Sequence, residues 1–259
     1  MSRIRSSPVS TSAPTPTPAT AWRSSPAGTD PGGQPPSAAG PSRCRRAIAS
    51  AAAGPHIAAM YDNRFPPRIG RTHLSFRLGG RLIAYAYIRK NGCSTFKAAL
   101  GYDDATHIAE IARAHPWRPW RRHDATIFVW RDPEERLVSL YRNKILDRDT
   151  NTDLLATYRR TMGEEPGSFE RFCEFARLNA DPHCRPQADH LMPIRYSHAI
   201  PLRGLHRAMA GIVGEAAAEP FRHRHRQSAP TPVAVSDRAR TIIRAHYARD
   251  YRMIERIEG

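Results

Sequence analysis

The stretch from Leu82 to Lys97, LIAYAYIRKNGCSTFK, constrains this chain more than any other. An apolar run stops at a short loop holding Lys90 and Gly92, and Ser94 and Thr95 then open a helix. A strand that ends in such a loop and restarts as a helix points several unpaired backbone N–H groups at one spot. The helix dipole stands behind them, and the result is an anion site. The order of residues is not that of a Walker A loop, G-x-x-x-x-G-K-[ST], because the lysine precedes the glycine.

The neighbouring segments give the loop a setting. THLSFRL and RLIAYAYI are strand-like runs joined by Gly79-Gly80, a two-residue hairpin signal because both glycines can take φ > 0. After Thr95 the spacing of Phe96, Ala99 and Leu100 is helical, and a further helix is expected from about Ala105 to Arg113. Thr126 to Trp130, TIFVW, is a continuous apolar run of the kind that forms a buried parallel strand. Strand, loop, helices and strand make a βαβ unit with a right-handed crossover, so the expected class is α/β with a central parallel sheet flanked by helices.

A second informative stretch follows, RDPEERLVSLYRNKI from Arg131 to Ile145. Asp132 is placed as an N-cap, Pro133 as the first helical residue, and Glu135 to complete a capping box. Leu137, Leu140, Tyr141 and Ile145 form an apolar stripe, with Ser139, Arg142 and Asn143 off it. Arg131 falls at the carboxyl end of a parallel strand, the edge where open α/β sheets bind ligands; an ion pair with Asp132 or Glu135 is the plainer role for it. Further on, 147–167 reads as a mobile helical or loop segment, and Ser168 as the cap of a helix whose Phe169, Phe172 and Phe175 belong to the core. A last helix is expected from Asp237 to about Ile257.

Charge and composition bound the function classes. The chain has 259 residues and a formal charge of +16. Residues 1–60 hold six arginines against Asp30 alone, so the rest carries +11. That excess favours anionic partners, among them nucleic acid, a membrane face, an acidic polysaccharide or a multiply phosphorylated nucleotide. Residues 1–60, rich in Pro, Ser, Thr, Ala and Gly, read as a disordered tail or, given their arginines, as a targeting segment, with a folded domain from 61 to 259. Cys44, Cys93, Cys173 and Cys184 are widely spaced and suggest neither a disulfide framework nor a zinc site, which fits a reducing, cytoplasmic setting. No run reaches the ~20 apolar residues of a membrane span. His223 and His225 alternate within a basic run from Arg222 to Arg226, a spacing too sparse for a metal site.

Two of these stretches carry a resemblance. IRKNGCSTFK is similar to the 5′-phosphosulfate loop, and VWRDPEERLVSLYRNKI to the 3′-phosphate motif, of the carbohydrate sulfotransferases grouped with the chondroitin and HNK-1 enzymes. SFERFCEF, the His-x-x-Pro-Gln of His183 to Gln187 and the final HYARDYRMI agree more weakly, so the resemblance covers roughly 80–259. It implies a three-layer P-loop-like fold. It also implies sulfuryl transfer from 3′-phosphoadenosine 5′-phosphosulfate to a carbohydrate hydroxyl, with no metal. The composition is closer to a bacterial member than to a Golgi enzyme.

The implied donor site comprises Arg89, Lys90, Asn91, Gly92, Cys93, Ser94, Thr95 and Phe96, with Arg131 and Ser139 on the 3′-phosphate. Lys90 is the residue aimed at the leaving oxygen, where charge grows in the transition state. His183 is the first candidate for the base and His115 the second. Where the related enzymes carry Trp after this histidine, this chain has Cys184. Peripheral membrane association stays open and nucleic acid is not an expected partner. The competing readings are a basic polyanion- or nucleic-acid-binding protein and a P-loop nucleotide kinase.

Overall fold

A computed structural model describes residues 58–63, 72–147, 152–222 and 231–259. The expectations for 1–57 and for His223 and His225 lie outside the described residues. In chain order the elements begin with β1 (Ala59–Asp62), β2 (His73–Leu78), β3 (Arg81–Ala86), α1 (Cys93–Ala99), α2 (Ile108–Ala114) and β4 (Ala125–Trp130). There follow α3 (Pro133–Tyr141), a π-helical turn (Arg142–Leu146), α4 (Thr152–Met162), α5 (Phe169–Leu178), a 3-10 turn (Gln187–His190) and β5 (Arg195–Pro201). The chain closes with α6 (Leu205–Val213), α7 (Glu215–Ala218), α8 (Asp237–His246) and α9 (Ala248–Glu258).

The five strands form one mixed sheet in the order β1-β5-β4-β3-β2. β3, β4 and β5 run parallel, with Tyr85 opposite Ile127 and Phe128 opposite Ala199, while β2 and β1 close the two edges antiparallel. The sequence reading had the inner parallel pair and the hairpin but neither β5 nor β1. The β2–β3 hairpin turns on Gly79 and Gly80, at φ 55 and 75. A Cβ on Gly79 would also lie 2.1 Å from the Val213 carbonyl oxygen, so that position has no room for a side chain.

Why β4 is apolar throughout is plain from its two faces. Ile127 and Val129 join Ile83, Tyr85 and Phe96 in a core that takes in Leu205 and Met209 of α6, whereas Phe128 and Trp130 join Tyr61, Tyr196 and Met253. A strand covered on both sides cannot alternate. A separate helical core gathers Leu137, Leu140 and Tyr141 with Leu154, Tyr158, Phe172, Phe175, Ile243 and Tyr247.

Two local expectations change, and one is refined. The helix after Arg131 stops at Tyr141 and continues as the π-turn. The helical alternative expected within 147–167 is present as α4, which buries Leu154, Leu155 and Tyr158. The last helix is two, broken at Tyr247 (φ −100, ψ 23), whose buried hydroxyl donates to the Cys184 carbonyl at 2.7 Å. Among the described residues no helix is long and apolar enough to cross a membrane.

Candidate active site

The loop between β3 and α1 lies at the carboxyl end of the parallel strands. Two left-handed residues, Lys90 at φ 68 and Gly92 at φ 78, turn the chain from strand into helix. For lysine that backbone costs on the order of 1–3 kcal/mol and persists only where the surroundings over-determine it. Here they do so from both sides. Arg136 Nε donates to the Arg89 carbonyl at 3.1 Å, and Asn91 Nδ2 donates to the Val129 carbonyl at 2.8 Å and to Gln187 Oε1 at 2.6 Å.

Arg136 and Gln187 are the two clamps of the site. The Arg136 guanidinium, 2% exposed, also donates to the carbonyls of Arg185 (2.9 Å) and His183 (3.2 Å), so one buried cation ties the Lys90 loop to the His183 loop. Gln187, fully buried, accepts from the Arg131 N–H at 3.0 Å and donates to the Arg131 carbonyl at 2.8 Å, pairing with the end of β4 as a further strand would. Asp250 of α9 in turn accepts from the N–H groups of Gln187 (2.8 Å) and Ala188 (2.9 Å). The break at Tyr247 starts the helix that carries this carboxylate.

Lys90 donates its amine to Asn143 Oδ1 at 3.1 Å, and Asn143 is buried in the π-turn. Single π-turns inside helices recur at functional sites. Burial lowers the Lys90 amine to about 8; Cys93 opposes this, and repulsion from Lys144, Arg131 and Arg136 adds to it. Four cationic side chains therefore share this corner with no carboxylate on Lys90, an arrangement that an anion would relieve.

Arg131 reaches Glu135 Oε2 at 3.5 Å, and the same carboxylate meets Arg203. Glu135 is thus turned to arginines instead of back to Asp132, while the Asp132 side chain caps the helix by accepting from the Glu135 N–H at 2.9 Å. The plain ion pair expected for Arg131 is present, but it is long and half-buried. Ser139 is half-buried on α3.

Of the loop donors, the N–H groups of Asn91 and Thr95 already meet the carbonyls of Ile88 (3.3 Å) and Gly92 (3.0 Å). Cys93 and Ser94 are half-buried and Thr95 is buried. The Phe96 side chain stacks on Tyr85 with ring centroids 3.8 Å apart and belongs to the core.

The two histidines are placed differently. His115 ends α2, where its Nε2 lies 3.3 Å from the Tyr102 hydroxyl and its ring meets Phe76 edge-on. His183 stands at the site. Its Nδ1 lies 2.7 Å from Asp181 Oδ1, which also accepts the His183 backbone N–H at 2.7 Å, and its Nε2 lies 3.2 Å from an Arg89 guanidinium nitrogen. A guanidinium can only donate and an ionised carboxylate can only accept, so the partners fix the tautomer: the proton is on Nδ1 and Nε2 carries the lone pair. Burial pushes the His183 imidazole below its usual range; the Asp181 bond opposes this and the Arg89 charge assists it. Burial works against the charge of Asp181, but its His183 bonds and Arg89 outweigh it and hold the carboxyl below the ordinary value.

Sequence reasoning missed Asp181, Arg136, Asn143 and Asp250 as members of this site. Asp181 had a signal, a carboxylate two residues before a histidine in a proline-bounded loop, the spacing of an Asx-type turn. Arg136 sits one turn from Leu140 and next to Leu137, a charge on the buried side of α3. Asn143 and Asp250 had no local signal.

No curated protein and no solved structure matches the chain. Residues 79–203, just under half of the chain, match the family model of the sulfotransferase family, and this segment contains the Lys90 loop, Arg131, Ser139 and His183. The match supports a transferase that moves sulfuryl groups.

Proposed function

We propose that this protein transfers a sulfuryl group from 3′-phosphoadenosine 5′-phosphosulfate to a hydroxyl of a carbohydrate, on a three-layer P-loop-like core. The observation that carries the reading is Lys90: a half-buried amine with a neutral hydrogen-bond partner, held in a strained loop beside Lys144, Arg131 and Arg136. So many cations, of which only Arg131 meets a carboxylate, through its long bond to Glu135, suit a substrate with several negative charges.

The roles follow from what each group can do. Backbone N–H groups within Asn91 to Thr95 and the hydroxyls of Ser94 and Thr95 hold the 5′-phosphosulfate. Arg131 offers a planar fork and Ser139 a short donor to the 3′-phosphate. Lys90 faces the phosphate oxygen that leaves, stabilising charge that is larger in the transition state than in the ground state. His183 Nε2 takes the proton of the acceptor hydroxyl. As the acceptor oxygen bonds to sulfur, the sulfur–oxygen bond to the phosphate breaks with its electron pair passing to the phosphate oxygen. No step calls on a metal.

The test is transfer of labelled sulfate from the donor into carbohydrate fractions. Incorporation that depends on Lys90 is the expected result; equal incorporation by wild type and Lys90→Ala would remove Lys90, and with it the observation on which the reading stands.

A further inference from the structure

The most informative contact in the site is the one that obstructs it. For His183 to accept a proton, the Nε2 lone pair has to be open, yet that lone pair receives a hydrogen bond from Arg89 at 3.2 Å. The other ring nitrogen is committed to Asp181 at 2.7 Å, so the ring cannot turn over without breaking its bonds to both Asp181 and Arg89; the same carboxylate oxygen also accepts the His183 backbone N–H. His183 is 14% exposed on its side chain, which leaves little water to substitute for either partner.

Arg89 is less tightly held at its other end. Its carbonyl is fixed by Arg136, but the guanidinium has no carboxylate ion pair among the described residues. It is the residue next to Lys90, so its backbone already belongs to the loop read as the phosphosulfate cradle. A guanidinium gains more from an ionised phosphate or sulfonate, which it can meet with two parallel bonds, than from a neutral imidazole met with one.

We propose that Arg89 covers the basic nitrogen of His183 and gives it up to take an oxyanion of the donor, so that donor binding uncovers the base, while Asp181 holds the ring throughout. This deepens the sulfuryl-transfer reading and rests on it. Arg89 and Asp181 are positioning residues for His183: one decides when Nε2 is open, the other which way it points. The consequence is an order of events. The acceptor hydroxyl loses its proton only once the donor is seated, when Nε2 receives that proton and Asp181 faces the resulting imidazolium. The charged groups around the ring are Asp181 from its own loop, Arg89 from the loop after β3 and Lys144 from the π-turn. Withdrawing Arg89 removes a cation that disfavours protonation, so the uncovered base is also the stronger one.

The experiment uses the full chain with isotope-labelled histidine, the His183 resonances being assigned by their loss in His183→Gln, and nitrogen chemical shifts reporting tautomer and protonation. Adenosine 3′,5′-bisphosphate is the probe, with calorimetry on the same samples. Three results are expected. The wild-type His183 titration moves to higher pH when the nucleotide binds. In Arg89→Gln it starts higher and moves less. In Asp181→Ala with the nucleotide bound, when neither Asp181 nor Arg89 holds the ring, the preference for the Nδ1–H tautomer is lost, and turnover falls by about 10²-fold or more, the lower end of a general base's contribution, with nucleotide affinity little changed. Asp181→Glu, which keeps a carboxylate, recovers part of that turnover and guards against misfolding of the Ala variant. Nucleotide binding with an unmoved His183, or identical His183 titrations in wild type and Arg89→Gln, would overturn the exchange of Arg89. An unchanged tautomer in nucleotide-bound Asp181→Ala would overturn the role of Asp181. Absence of nucleotide binding would remove the donor itself, and is recognised separately by the calorimetry.

Discussion

Replacing Arg136 by Met tests how the site is held together. The substitution keeps most of the apolar stem while deleting a guanidinium that makes three bonds, at 3.1, 2.9 and 3.2 Å, to the carbonyls of Arg89, Arg185 and His183. Each buried carbonyl left without a donor costs about 1–3 kcal/mol, so the loss is roughly 3–9 kcal/mol before compensation. The compensation is real, because no carboxylate pairs with Arg136 among the described residues and a buried ion carries a desolvation penalty of several kcal/mol. The net expectation is destabilisation by about 3 kcal/mol, near the low end of what breaking a buried ionic contact costs. For a domain of this size that lowers the melting temperature by about 6–12 °C. Calorimetric melting of wild type and Arg136→Met reads it directly. The Lys90 amine should also titrate higher in the variant, since Arg136 is one of the cations that depress it. A melting temperature within about 2 °C of wild type would refute the view of Arg136 as the tie between the two loops.

Other outcomes follow from the same geometry. Lys90→Ala should lose about 10²-fold or more in turnover, as removal of a transition-state charge partner does elsewhere, while retaining part of the nucleotide affinity; steady-state kinetics beside calorimetry separates the two effects. With the Lys90 amine at about 8, activity should fall as pH rises through that value and the charge is lost, a limb that Lys90→Arg should move to higher pH. Stability should change in the opposite sense: because the folded amine is below its usual value, the unfolded chain binds more protons between about 8 and the ordinary lysine range, and folding becomes more favourable with rising pH across that window. Asp250→Asn should destabilise by about 1–3 kcal/mol, since an amide nitrogen then faces the N–H donors of Gln187 or Ala188, and denaturant melts would show it.

Much of this arrangement is legible in the sequence, and the reason is local chemistry. The Gly79-Gly80 hairpin, the Ser168 cap of α5 and the Asp132-Pro133 start of α3 each depend on residues within four positions of one another, so their signals are contiguous. The apolar run of β4 betrays burial on both faces. What escaped depends on partners far apart in the chain. Strand β5 pairs through His198, Ala199 and Ile200 with β4 about seventy residues earlier, and its mixed burial hides the strand pattern. Arg136, Gln187 and Asp250 form bonds across 47 to 96 residues, and a buried charge or amide looks like a surface residue until its partner is known. His183 was found from its place in a familiar loop, whereas the tautomer that makes it a base is fixed by Asp181 and Arg89 together.

The central claim is that the cationic corner around Lys90 and Arg131 takes a nucleotide phosphorylated on both the 3′ and 5′ positions. Isothermal titration with adenosine 3′,5′-bisphosphate, beside ATP with Mg²⁺, tests it most directly. Saturable binding of the bisphosphate by the intact protein is expected, weakened far more by Arg131→Ala than by Lys90→Ala, with weaker binding of ATP. No binding of the bisphosphate, or preference for ATP, would contradict it.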